Sequence, residues 1–242
     1  MARIFLALSL FALALLAVNI GLGFASGDFN GAAAEHTRLL NETGALRNSP
    51  DASDAEVAAK AKEFDQAAET FLVLSKWKML HFLFGVLAAL VTVLVNSINV
   101  TYFIGTARWC KEVADAYHLG DELPARSEKL KKQAFPWSVL GTLSIMAIII
   151  AGAASDPSAN FKGSGNWVTI HMMVAIIGSA FIGYAFFQQV SKIGANYEVI
   201  DQIMARVREI QSAQEHQKRK QDAESTASDE TIVDFKIPPS DS

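Results

Sequence analysis

The sequence predicts an all-α membrane protein: a polytopic four-transmembrane-helix bundle with an outer helical hairpin and cytoplasmic helical extensions. Three observations predict it. Of the 242 residues, 51% are hydrophobic and only 19% are charged, and the mean hydropathy is +0.23. The apolar residues gather into four long runs, and roughly 20 such residues cross about 30 Å of hydrocarbon as a helix. Outside the runs, apolar residues recur at spacings of three and four, the helical period. Composition also excludes whole classes. A net charge of −4 argues against a nucleic-acid binder driven by phosphate neutralisation. A single cysteine excludes an internal disulfide framework and any CxxC metal site.

The first run, Ile4 to Ala25, carries no charge, and Asn19 is its only amide. Arg3, the run itself and the small pair Gly23 and Ala25 also fit a cleaved signal peptide. Its 22 residues exceed the roughly 7–15 residues of a signal-peptide core, so we read a retained helix. The outer segment, 26–78, holds two helices separated by Asn48-Ser49-Pro50. The second starts near Asp54 and sets Val57, Ala61, Phe64, Ala68 and Phe71 along one seam. No breaker follows before Met79, so it should run straight into the second span. Ala32 to Leu46 can pair with it as an antiparallel partner, and so small a hairpin cannot enclose a drug-sized pocket.

The second span, 79–100, should continue through Trp109 and Val113 and break near Gly120. In the cytoplasmic loop, 101–135, a short basic helix from Pro124 to Ala134 leads to the third span, 136–154. Pro136 suits its first turn, because the missing N–H has no helical partner there. An outer loop, 155–166, contains Gly163-Ser164-Gly165, which reads as a turn, and the fourth span covers 167–187. Trp77, Trp137 and Trp167 mark span ends, where indole prefers the headgroup layer. Beyond it, Val190, Ile193, Tyr197, Ile200, Ile203, Val207 and Ile210 recur every three or four residues. This arm, 188–211, should pack on the inner extension of the second span or form a short coiled coil. From Ser212 the chain is polar and charged, and 212–242 reads as a disordered tail.

Lys and Arg placement sets the orientation. Fourteen fall in the N-terminal tip, the 101–135 loop and the C-terminal segment, against seven in the other two segments. Both termini are therefore expected in the cytoplasm, in an inner or plasma membrane, and Cys110 falls on the reducing side.

No Asp, Glu, Lys or Arg lies within a span, which argues against a proton relay, a voltage sensor or an ion-coupled transporter. Two histidines remain. His81 is the third residue of the second span and His171 the fifth of the fourth, both entered from outside. At 1.5 Å per residue their depths differ by only about 3 Å. From His81, helical steps reach Gly85, Ala88, Thr92, Asn96 and Asn99, opposite a face of Leu80, Leu83, Leu87, Leu90 and Leu94. From His171 they reach Ala175, Gly178, Ile182, Ala185 and Gln189. The small and polar sides should face the bundle, since lipid offers no hydrogen bonds.

A bis-histidine haem b needs this combination: two imidazoles from two helices at one depth, with Gly85 and Gly178 leaving room for the porphyrin. Phe82, Phe84, Met172 and Met173 would line the pocket, and Lys76, Lys78 and Lys162 could meet the propionates. The arrangement is similar in outline to membrane four-helix b cytochromes. The resemblance is one of architecture and implies electron transfer, alone or as the haem-bearing subunit of a larger complex, with His81 and His171 as metal ligands. Copper is the alternative, because Met79-Leu80-His81 and His171-Met172-Met173 set thioethers beside imidazoles. Each histidine can also be an interfacial packing residue, and small-residue stripes suit any tight membrane bundle.

His36, His118 and His216 read as solvated. No Walker, GxGxxG or HExxH pattern and no triad occurs, so no catalytic residues are assigned and activity as an enzyme on its own is not expected. Expected partners are the lipid bilayer, other membrane subunits supplying electrons and another copy of the chain. The competing class is a non-catalytic scaffold, assembly factor or signal relay acting through the helical extensions.

Overall fold

A computed structural model describes residues 2–159 and 164–233. Its regular structure is helical: α1 (Ala2–Ala25), α2 (Phe29–Arg47), α3 (Asp54–Tyr117), α4 (Glu122–Ser155), a 3-10 turn (Pro157–Ala159) and α5 (Ser164–Val233). Four of these helices, α1, α3, α4 and α5, are long and apolar enough to cross a membrane.

Local chemistry sets the helix ends. The Asp28 carboxylate accepts from the Gly31 N–H at 2.9 Å and caps α2. Ser53 and Glu56 form a reciprocal capping box: Ser53 N–H donates to Glu56 Oε2 at 3.0 Å, and Glu56 N–H donates to Ser53 Oγ at 3.3 Å. That is why α3 begins at Asp54. It ends in a Schellman pattern, with Leu119 N–H donating to the Ala114 carbonyl and His118 N–H to that of Asp115. The left-handed residue of that motif is His118, at φ 52°, and Gly120 follows at φ 78°.

Three expectations need correcting. Pro136 does not start a helix; it lies inside a continuous α4. One missing N–H costs one backbone bond, and the Leu, Lys, Arg and Ala residues upstream are strong enough helix formers to carry the helix across it. Trp137 accordingly sits within a helix rather than at its start, and α5 begins at Ser164 instead of Trp167. The chain from 212 to Val233, expected to be disordered, continues α5. Its Gln, Lys, Ala and Glu residues propagate a helix without burying anything, and residues 212–223 are exposed throughout. The rest of the predicted tail, 234–242, and Lys162 lie outside the described residues.

The chain forms two compact units. Unit 1 comprises Met1–Phe103 and Lys132–Gly194. It contains the hairpin and the four apolar helices, with Phe5, Ala12, Ala88, Val95, Ile145, Ile182, Ala185 and Phe186 buried. In the hairpin, Phe71 meets Phe29 and the seam residues face α2, half-buried. Unit 2 comprises Ile104–Lys131 and Ala195–Ser242. Its core is Cys110, Ala114, Leu123, Val199, Ile203 and Val207, and Gln211 Nε2 donates to Tyr117 Oη at 2.9 Å. The arm thus packs on the extension of α3, with one change of register. Tyr197 is exposed and Asn196 is buried in its stead, accepting from Ser127 Oγ at 2.7 Å and donating to Thr106 Oγ1 at 2.9 Å. Burial pushes the Cys110 thiol up, against a weaker opposing hydrogen bond from Ser127.

A candidate bis-histidine site

The helix faces of unit 1 fall as the spacing predicts. On α3, Ala88, Thr92, Asn96 and Asn99 are buried, whereas Leu80, Leu83, Leu87, Leu90 and Leu94 are exposed. On α5, Ile182, Ala185 and Gln189 are buried. The stripes therefore turn both histidines inward. Their ring centroids lie 6.1 Å apart with the planes at 74°.

Each ring lies against a glycine of a neighbouring helix. His81 Nδ1 is 2.9 Å from the Asn19 carbonyl of α1. A Cβ on Gly23, one turn further along, would come within 3.2 Å of the ring. On α4, a Cβ on Gly152 would come within 3.0 Å of the His171 ring. A side chain at either glycine would stand where the imidazole stands, so each glycine opens its helix to a histidine. His171 keeps a buried Nδ1 with no partner.

Other expected members of the site are placed elsewhere. Lys78 binds Asp156 at 3.0 Å and lies 4.1 Å over the Phe29 ring. Burial alone would raise the Asp156 carboxyl. Hydrogen bonds from Ser158 and Lys78 and the ammonium charge outweigh it, holding the carboxyl below its ordinary range. Gly85 is covered by the Asn19 side chain, whose Nδ2 is 3.2 Å from a Cβ position there. Gly178 is covered by Ile148, whose Cδ1 is 2.9 Å from the equivalent point. Phe82, Met79, Met172 and Met173 are exposed on the outer faces, leaving Phe84 as the half-buried member of the expected lining. The thioethers therefore do not converge on the imidazoles. Among the described residues, no group of three or more His, Cys, Asp or Glu comes together as metal ligands.

Sequence reading missed the seats of the rings. Asn19 was visible as the sole amide of its span, and Gly23 and Gly152 as small residues, but nothing in periodicity pairs a carbonyl on one helix with an imidazole on another. His36, read as solvated, stacks on Phe71 at 4.8 Å and meets Phe64 at 5.2 Å. Comparison of the chain with protein families, with curated proteins and with solved structures found no match.

Proposed function

We propose that this chain is a b-type haem protein of an inner or plasma membrane, carrying electrons alone or as the haem-bearing subunit of a larger complex. His81 and His171 would hold its iron. One observation carries the reading: the two rings stand 6.1 Å apart, His81 held through Nδ1 at the Asn19 carbonyl and His171 with a buried Nδ1 that has no partner. Two imidazoles bound to opposite sides of one metal, at about 2.1 Å, have centroids roughly 6.4 Å apart. A histidine ligand that gives its second nitrogen to a backbone carbonyl is the usual outer-shell arrangement of a metal site.

Haem fits this donor set better than a bare ion. Two protein donors leave most of an iron's coordination unfilled, and the porphyrin supplies the remainder. What stands closest over Gly85 and Gly178 is the tip of a side chain, Asn19 or Ile148, with the Ser144 carbonyl 3.9 Å from a Cβ position at Gly178. Those tips would have to turn aside for the ring, and Lys78 would be the cation for a propionate. The bound group supplies a reversible one-electron couple. The chain's residues orient the imidazoles, exclude water and set the depth of the centre. In this orientation the histidines face the outer side, both termini are cytoplasmic, and redox partners supply and accept the electrons.

Oxidised and dithionite-reduced visible spectra of the detergent-purified protein test the proposal. The expected result is a Soret band with sharp reduced α and β bands, at one haem per chain. A protein still colourless after haem supplementation overturns it.

The covered glycines favour a second reading. With Asn19 and Ile148 closing over them, the layer is also a good dry helix contact, as in a scaffold, assembly factor or relay. In that case removal of the arm beyond Ile200 impairs function more than substitution of either histidine.

A further inference from the structure

At the other end of the apolar core, about 22 Å along α3 from His81, lies a second polar layer of unit 1. Thr92, Asn96 and Asn99 of α3, Ser138 of α4 and Gln189 of α5 are all buried. Gln189 Nε2 donates to Asn96 Oδ1 at 2.9 Å, Asn96 Nδ2 to the Thr92 carbonyl at 3.0 Å, and Asn99 Nδ2 to Ser138 Oγ at 2.7 Å. Gly141 makes room for the layer, since a Cβ there would be 3.1 Å from both polar atoms of Asn96. Unit 2 has a polar cluster of its own, in which Asn196 of α5 joins Ser127 of α4 and Thr106 of α3. Each cluster ties the same three helices together within its own unit.

Between the two clusters, each of the three helices carries a weak point. On α3 Gly105 lies between Asn99 and Thr106, on α4 Pro136 lies between Ser127 and Ser138, and on α5 Gly194 lies between Gln189 and Asn196. The units divide at the same places: unit 1 stops at Phe103, resumes at Lys132 and ends at Gly194. Pro136 has no N–H to offer the Lys132 carbonyl, so α4 lacks a backbone bond at its dividing residue. Packing does not keep the two glycines small. Past the first turns of these helices, Gly85, Gly141, Gly152, Gly178 and Gly183 each have a side chain within 4 Å of a Cβ position, whereas Gly105 and Gly194 have nothing. A glycine weakens a helix relative to alanine, and here no neighbour requires one.

We propose that α3, α4 and α5 share a hinge at Gly105, Pro136 and Gly194, where the three helices flex together. Helices bend where proline or glycine interrupts them, and a hinge is a few residues that absorb φ and ψ changes between rigid parts. The polar clusters supply the rigidity. Each fixes the register of three helices within its unit, so flexing is confined to the stretch between them. A single weak residue would be held straight by two intact neighbours; one on every helix lets all three yield at once. The inference does not depend on haem, since no histidine takes part.

The test is double electron–electron resonance on the full chain in detergent, in a Cys110→Ala background. One nitroxide pair crosses the hinge, at Leu140→Cys in unit 1 and Glu209→Cys in unit 2. The reference pair, Leu83→Cys with Leu140→Cys, stays within unit 1. All three sites are exposed. The crossing pair should give the broader distance distribution. Gly105→Ala with Gly194→Ala should narrow it, and adding Pro136→Ala should remove the excess width. These variants should fold, because the new Cβ atoms meet nothing and alanine restores the lost backbone donor. Gly21→Ala and Gly44→Ala, at equally open glycines away from the hinge, should leave the width unchanged. Equal widths for the two pairs overturn the proposal. So does an excess that survives the triple substitution, or one that Gly21→Ala or Gly44→Ala removes.

Discussion

The two polar layers of unit 1 solve the same problem in opposite ways. At the histidine end, His81 reaches across to the Asn19 carbonyl, and Gly23 and Gly152 leave room for the two rings. At the amide end, side chains bond mainly to side chains, and the layer closes on itself. A ring held by a backbone group is fixed in orientation. A closed amide network fixes the helices against one another. The first arrangement aims a ring; the second sets register.

The sharpest break of this comparison is at the histidine end. His81→Ala or His171→Ala should abolish the haem spectrum while circular dichroism keeps most of the helix signal; retained pigment in both removes them as ligands. Next comes the seat of a ring. Gly152→Leu drives a side chain into the place of His171 and should cost about 3 kcal/mol, read as a fall in melting temperature. Gly21→Ala, with nothing within 4 Å, is the control and should be close to neutral.

At the amide end, Gln189→Leu strands Asn96 Oδ1 and should cost about 1–3 kcal/mol in detergent unfolding. Loss of pigment there at unchanged helix content would erase the distinction between the layers. The smallest effect concerns Lys78 and Asp156. The folded carboxyl is held low, so its contribution to stability is present above the unfolded value near 3.9. It is lost as pH falls through the folded value. Lys78→Met should therefore flatten the decline in melting temperature below about pH 4, by less than about 1 kcal/mol for so exposed a pair.

Much of this was legible in the sequence. Helix faces follow from a period, so the inward stripes below His81 and His171, the start of α3 and the hairpin seam could all be read directly. Matched depth followed from counting residues along two spans. The seats of the rings were not legible, because a backbone group carries no side-chain signature. Nor was the burial of Asn196, since an apolar seam looks past a polar residue whose partners, Ser127 and Thr106, lie on other helices. Lys78 was expected at a propionate and found at Asp156; distance in sequence gave no hint of that pair. Pro136 shows a different limit: one lost bond does not end a helix that its neighbours favour on both sides.

The histidine layer also has a place in time. Asn19 and Gly23 come from α1, His81 from α3, Gly152 from α4, and His171 from α5. A chain emerging from the ribosome carries His81 long before its counterpart exists. Until α5 is made, that ring has the Asn19 carbonyl and Gly23 as neighbours and no second imidazole. The layer therefore needs α5, and a nascent chain stopped short of residue 164 cannot assemble it.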